Sequence, residues 1–169
     1  MDADSPFLDA IQSTPLDDTP RLIYADWLEE NDQPERAEFI RVQCELERLP
    51  ENADDRRSWL LRRESRLIEQ NSDRWKDTLP KGNGITWSDF RRGFAEDVRA
   101  TNGDAFLMNA SRLRASTVLL GVGVLGANAD FVCSPALEGL HRLQIQSGLG
   151  PSGIRARSAF PAVGSPIRA

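Results

Sequence analysis

The feature that most constrains this fold is a recurrence of short apolar pairs in the second half of the chain. The pairs follow one another at intervals of 22 and 23 residues, as Val98-x-Ala100, Leu120-x-Val122 and Leu143-x-Ile145. Between them lie two stretches, 104–114 and 128–139, whose apolar residues recur at helical spacing. A strand and a helix that alternate at a fixed interval predict stacked units, each of which buries its apolar face against a neighbour.

The interval is typical of leucine-rich repeats, in which each unit contributes one strand and one helix. The segment from Leu140 to Ile145 reads Leu-His-Arg-Leu-Gln-Ile and matches the L-x-x-L-x-L core of such repeats. The earlier units are degenerate, since two glycines weaken the middle strand. We therefore predict an α+β fold with a short leucine-rich-repeat-like α/β solenoid over residues 81–149. Residues 150–169 lose all periodicity and supply no capping helix, which predicts an irregular, disordered tail.

Residues 1–80 predict a bundle of four short amphipathic helices. Pro6, Pro20 and Pro34 stand where the first three begin, because a proline lacks the N–H that the first helical turn leaves unpaired. The fourth helix is predicted from position 54 to about position 79. The core of this domain, with a tryptophan as its anchor, is predicted to contain Ile23, Trp27, Leu28, Phe39, Val42 and Leu46.

The sequence of the second and third helices resembles a known family. The run from Asp17 to Glu30 ends in Tyr-Ala-Asp-Trp-Leu-Glu-Glu, and the run from Pro34 to Gln43 reads Pro-Glu-Arg-Ala-Glu-Phe-Ile-Arg-Val-Gln. Over residues 5–48 the chain is similar to the bacterial repeat-companion domain, a short module found ahead of leucine-rich-type repeats. The resemblance implies that repeats follow the helices, and it brings no catalytic residues to this chain.

Charge is unevenly distributed along the chain. Residues 1–78 hold 20 acidic and 11 basic residues, a net charge of −9, whereas residues 79–169 carry a net charge of +4. Nucleic acid is therefore not favoured as the main partner, because such proteins concentrate basic charge on one face. A basic run on the fourth helix alternates with acidic residues, which predicts a salt-bridged surface. The run comprises Arg56, Arg57, Arg62, Arg63 and Arg66. Asp26 stands within an apolar helix face beside Trp27, so we expect it to pair with an arginine such as Arg21 or Arg41, or to cap a neighbouring helix.

The lack of a recognisable targeting signal, together with the setting of the cysteines, predicts a cytoplasmic protein. The acidic start of the chain lacks the basic and apolar regions of a signal peptide. Its main apolar stretch, 117–127, is interrupted by glycines and is shorter than the about 20 residues of a membrane-spanning helix. Cys44 and Cys133 both stand among apolar neighbours, which favours buried thiols in a reducing compartment.

Few residues of this chain could support catalysis. His141 is its only histidine, so a second histidine is missing for a metal site, and a nucleophile would have only one obvious base. Gly121, Gly123 and Gly126 imitate a dinucleotide-binding glycine motif. The acidic residue that would bind the ribose is absent near position 145. We therefore predict no enzymatic activity, no cofactor and no metal.

The sequence thus predicts a non-catalytic module that binds an unidentified protein. In stacked units the strands line one face, and Arg99, Gln144 and Gln146 are predicted to point from that face toward a partner. The last unit has no predicted cap, so self-association through it is a further expectation. Two alternatives stay open. One is binding of nucleic acid or another anionic ligand through the fourth helix, and the other is a truncated remnant of a longer repeat protein.

Overall fold

Four helices form the first part of the fold. The structure, a computed structural model, describes residues 4–50 and 52–146. The helices are α1 (Ser5–Ser13), α2 (Thr19–Glu30), α3 (Pro34–Arg48) and α4 (Asp54–Asp77). A proline occupies the first turn of α1, α2 and α3, where its missing N–H leaves no hydrogen bond unmade. The prediction of four helices in the first half of the chain is confirmed.

A four-stranded mixed sheet forms the second part, which makes the fold α+β. Its strands are β1 (Ile85–Trp87), β2 (Asp97–Ala100), β3 (Gly121–Leu125) and β4 (Arg142–Gln146), in the order β1-β2-β3-β4. β1 is antiparallel to β2, whereas β2, β3 and β4 are parallel. Parallel neighbours need a crossover connection. Helix α5 (Gly103–Ser116) joins β2 to β3, and a short helix α6 (Ala129–Val132) with a 3-10 turn (Pro135–Leu137) joins β3 to β4.

The middle strand begins later than the sequence predicts. Val98 pairs with Val122, which pairs in turn with Leu143, so equivalent positions are 24 and 21 residues apart. The placement of Leu120 on the strand is therefore wrong. Leu120 precedes β3 and is only 2% exposed, because it packs with Val118 in a core that the helices share. Leu120 is apolar because it is buried in that core, and in the sequence an apolar residue of this kind cannot be told from a strand residue.

Helix α2 presents a different face to the core than its apolar pattern predicts. The buried residues of α2 are Arg21, Tyr24, Ala25 and Leu28. Ile23 is 52% exposed, so its assignment to the core is wrong. Of the other predicted core residues, Leu28, Phe39 and Val42 are buried, and Trp27 and Leu46 pack against the core while partly exposed.

Packing continues across the predicted boundary between residues 80 and 81. One core cluster joins residues of α1, α2 and α3 to Phe94, Val118 and Leu120. A second joins α3 and α4 to Phe90, whose ring lies edge-on to Phe39 with centroids 5.5 Å apart. Helices thus lie before this boundary and the sheet lies after it, but the two parts share hydrophobic cores. The predicted tail, 150–169, lies outside the described residues.

None of the helices within residues 4–50 and 52–146 combines the length and apolar character that a bilayer span requires.

The two cysteines lie in different environments. Cys44 is buried on α3, where burial raises the pKa of its thiol to about 12. Cys133 follows α6 and is exposed, so the expectation that both thiols are buried is wrong for this one. We expect a thiol reagent such as DTNB to modify only Cys133 in the native protein, because the thiolate is the reacting species. Cys44 should react once urea unfolds the chain.

Two variants test this assignment. Cys133→Ser should abolish the reaction of the native protein, and Cys44→Ser should leave it unchanged. Equal reaction rates for both thiols in the native protein would contradict the buried position of Cys44.

Candidate partner-binding groove on the sheet

The two faces of the sheet differ in character because side chains alternate along each strand. Val98 and Ala100 on β2, with Val122 and Val124 on β3, are buried in the core beneath α5. The residues between them point to the opposite face. Across the sheet, one row of that face consists of Thr86, Arg99, Gly123 and Gln144, in direct register.

The three residues predicted to contact a partner meet in one cavity on this face. Arg99, Gln144 and Gln146 all line a depression of about 330 Å³, together with Thr86, Thr101 and Leu125. All three predicted side chains are exposed. They come from β2 and β4, on either side of the middle strand, so the depression lies over β3.

The floor of this depression is backbone. Gly123 lies between Arg99 and Gln144, and a second depression of about 300 Å³ shares these three residues and extends to Asp97 and Arg142. The two depressions therefore form one trough above β3, here called the sheet groove. A Cβ built on Gly123 would find its nearest neighbour, the Cγ of Arg99, at 3.8 Å. A side chain at position 123 would therefore meet only ordinary van der Waals contacts at its Cβ.

An ion pair closes the sheet groove at the start of β3. Asp97, Gly121 and Arg142 stand in register, and the Arg142 Nε lies 2.9 Å from the Asp97 Oδ1. A Cβ on Gly121 would lie 2.0 Å from that oxygen. Glycine at this position is therefore what allows the pair to bridge the middle strand. Sequence reasoning missed this role and interpreted both glycines as weakening the strand.

The same arginine ties β4 to the helical part through a buried carboxylate. Glu96 is 3% exposed and accepts from Arg142 Nη2 at 3.1 Å and from Arg21 Nη2 at 2.5 Å. Arg21 lies on α2 and is fully buried. Burial alone would lower the pKa of Arg142, but its bonds to Asp97 and Glu96 outweigh this and raise it. Two arginines and two carboxylates thus form a neutral network at the closed end of the groove.

Among the described residues, Arg99 is the one charged side chain that lines the main depression. None of the ion pairs and side-chain hydrogen bonds found among residues 4–50 and 52–146 involves it; the nearby pairs are those of Arg142. The neutral network contributes no net charge, so the groove carries a local positive charge at the Arg99 guanidinium. No signal other than strand alternation pointed to this residue.

The arginines of α4 form a second surface. Arg56 and Arg63 bind Glu45 and Glu38, with shortest distances of 2.6 Å and 2.5 Å, and Arg57 donates to the Leu49 carbonyl. The predicted salt-bridged surface is therefore present, although its carboxylates come from α3 and not from α4. The remaining two arginines, Arg62 and Arg66, line a basic depression of about 430 Å³. Arg63, Glu38 and the half-exposed Trp59 complete its lining.

Asp26 and His141 do not line the sheet groove. Asp26 pairs with Arg41 at 2.6 Å, which confirms one of its two predicted partners. Arg21, the other, binds Glu96 instead. His141 is exposed directly before β4, and its backbone N–H donates to the Leu120 carbonyl.

No protein-family model, no curated protein and no solved structure matches this chain at a significant level. The chemistry of the groove therefore has to follow from its own side chains.

Proposed function

We propose that this chain is a non-catalytic module that binds a partner protein through the sheet groove. The observation that carries the proposal is the convergence of Arg99, Gln144 and Gln146 on one cavity above a glycine floor. A guanidinium and two primary amides offer hydrogen-bond donors and acceptors to a partner. The partner would bind to these side chains, which the sheet holds in a fixed arrangement.

The groove stands on a well-anchored platform, which supports a binding role. One face of β2 and β3 is buried beneath α5, and Glu96 ties β2 and β4 to α2 through two arginines. Side chains on packed strands keep their geometry better than those on loops. A partner would therefore meet a preformed surface.

We further propose that residues 81–149 form leucine-rich-repeat-like units behind a repeat-companion domain. Two strand–helix units of similar construction support this. In the first, Asn102 caps α5 by accepting from the Ala105 N–H at 2.8 Å, and in the second Asn128 accepts from the Phe131 N–H at 2.9 Å. Phe131 also packs edge-on against Phe106 of the preceding unit, with centroids 6.0 Å apart. A cytoplasmic location belongs to the same proposal and is supported by two free cysteines.

Affinity capture tests the binding proposal. The tagged full chain and its Gly123→Leu variant would each be used to capture proteins from the native cell extract. A leucine at this position projects into the open groove, where even its Cβ has only ordinary contacts. We expect a protein recovered in near-equal amounts with the wild-type chain, and its loss with Gly123→Leu.

The matched control is the double variant Arg62→Gln/Arg66→Gln, which changes the α4 surface and leaves the groove intact. It should keep the partner, and thermal melting should show that both variants fold. A partner that binds Gly123→Leu as well as the wild type would contradict the proposed site.

The α4 surface is the second candidate, for an anionic ligand. Trp59 is 48% exposed with the Arg56 guanidinium 4.8 Å from its ring centroid, and Arg62 and Arg66 are exposed beside it. An exposed ring next to cations is a feature of single-stranded nucleic-acid sites. Steeply salt-dependent binding of an oligonucleotide that Arg62→Gln/Arg66→Gln abolishes would favour this candidate over the groove.

A further inference from the structure

We propose that the sheet groove takes an extended acidic segment of the partner protein, with an aspartate or glutamate carboxylate bound by Arg99. This inference rests on the proposed binding function and names the chemistry of its partner. It follows from the charge, the donors and the shape of the groove.

Charge complementarity is the first argument. The groove lies in a chain with a net charge of −5, yet Arg99 is the one charged side chain that the described part of the chain contributes to its main depression. The two carboxylates at the closed end of the groove, Asp97 and Glu96, are already engaged by Arg142. On the described surface of the groove, an arriving carboxylate would therefore meet an uncompensated guanidinium and carboxylates that are already paired.

The donors of the groove suit a carboxylate. The planar guanidinium can bind both carboxylate oxygens at once. The amides of Gln144 and Gln146 and the hydroxyls of Thr86 and Thr101 line the same depression. They can bind the remaining lone pairs and the peptide groups of an extended chain.

The shape of the groove suits an extended chain rather than a helix. Its walls stand on β2 and β4, two strand spacings apart, which is roughly 9–10 Å, and a helix with its side chains is about as wide as that or wider. The floor at Gly123 carries no side chain, and a Cβ there would have only ordinary contacts. The Asp97–Arg142 pair closes one end of the groove, and Leu125, 57% exposed, offers an apolar contact at the other end. The trough follows the direction of β3.

The chain's own C-terminal segment has the wrong charge for this site. Residues 147–169 contain Arg155, Arg157 and Arg168 and no acidic residue. A basic segment would be repelled by Arg99. Charge therefore disfavours residues 147–169 as the occupant of the sheet groove.

Synthetic hexapeptide arrays test the inference. Each peptide would be blocked at both ends, with one position fixed as Asp or Glu, as Asn or Gln, or as Lys or Arg. The full chain would be applied, and the strongest peptide measured by fluorescence polarisation beside its amide counterpart. We expect the acidic set to bind best, and the change from acid to amide to weaken binding about tenfold or more.

Variants assign the preference to the groove. Arg99→Gln should remove the difference between acidic and amide peptides, whereas Arg99→Lys should keep part of it. Gly123→Leu should weaken every peptide, and the control Arg62→Gln/Arg66→Gln should change none. Arg99 is exposed, so its variants should melt like the wild type.

Three results would overturn the inference. These are equal binding of acidic and amide peptides, an acidic preference that survives Arg99→Gln, and self-association of the chain that Arg99→Gln abolishes. The first, combined with a captured partner that Gly123→Leu loses, would leave the proposed function standing and remove only the acidic segment. No captured partner and no peptide binding would remove both.

Discussion

Replacing Glu96 with alanine is expected to destabilise the fold by about 3–5 kcal/mol, the cost of breaking a buried ion pair from one side. The reason is the position of Arg21, which is fully buried and would keep its charge without a carboxylate. Its remaining bonds, from Nη1 to the carbonyls of Pro15 and Asp17 at 3.0 Å and 3.4 Å, do not neutralise that charge. Unfolding in urea, monitored by tryptophan fluorescence, would measure the decrease in the free energy of unfolding.

Two controls separate buried charge from a simple loss of contact. The double variant Arg21→Met/Glu96→Leu removes both charges and should recover much of the stability, because apolar groups often replace a buried pair at little cost. Asp26→Ala breaks the exposed pair with Arg41 and should cost less than about 1 kcal/mol. If Glu96→Ala were as mild as Asp26→Ala, the buried network would not stabilise the junction.

This network also shows where sequence reasoning ends. Proline positions and local periodicity predict the four helices, because their causes lie within a few residues. The same periodicity places Ile23 on the apolar face of α2, whereas the face turned inward includes Arg21. An arginine can be buried there only because Glu96 lies opposite, and that partner is 75 positions away in sequence.

The groove was predictable in its walls but not in its floor. Arg99 lies between two apolar strand residues, and Gln144 and Gln146 alternate with Leu143 and Ile145, so alternation alone assigns the three to one face. The glycines of β3 lower a strand prediction when they are considered singly. Their role is visible only once the neighbouring strands are in register, because Gly121 then lies beneath the Asp97–Arg142 pair.

The second large effect is expected at Gly93, in the turn between β1 and β2. Arg92 and Gly93 have φ angles of 46° and 88°, and Arg91 and Phe94 exchange backbone hydrogen bonds of 2.8 Å and 2.9 Å around them. Two consecutive positive φ angles are the mark of a type I′ turn, which favours glycine. The Gly93 N–H also donates to Gln43 Oε1 at 2.6 Å, so the turn is fastened to α3.

We expect Gly93→Ala to destabilise the protein by about 2–5 kcal/mol, which combines left-handed strain with overpacking. The added Cβ would lie 2.3 Å from the Cγ1 of Ile40 and 3.1 Å from its Cα, a backbone atom of α3 that cannot rotate away. Gly126→Ala is the matched control: its φ is 80°, but a Cβ there meets nothing within 4 Å. It should carry only the strain, about 1–2 kcal/mol. Unfolding in urea would compare the two, and equal losses would contradict the close contact between the turn and α3, through which the helices and the sheet are held together.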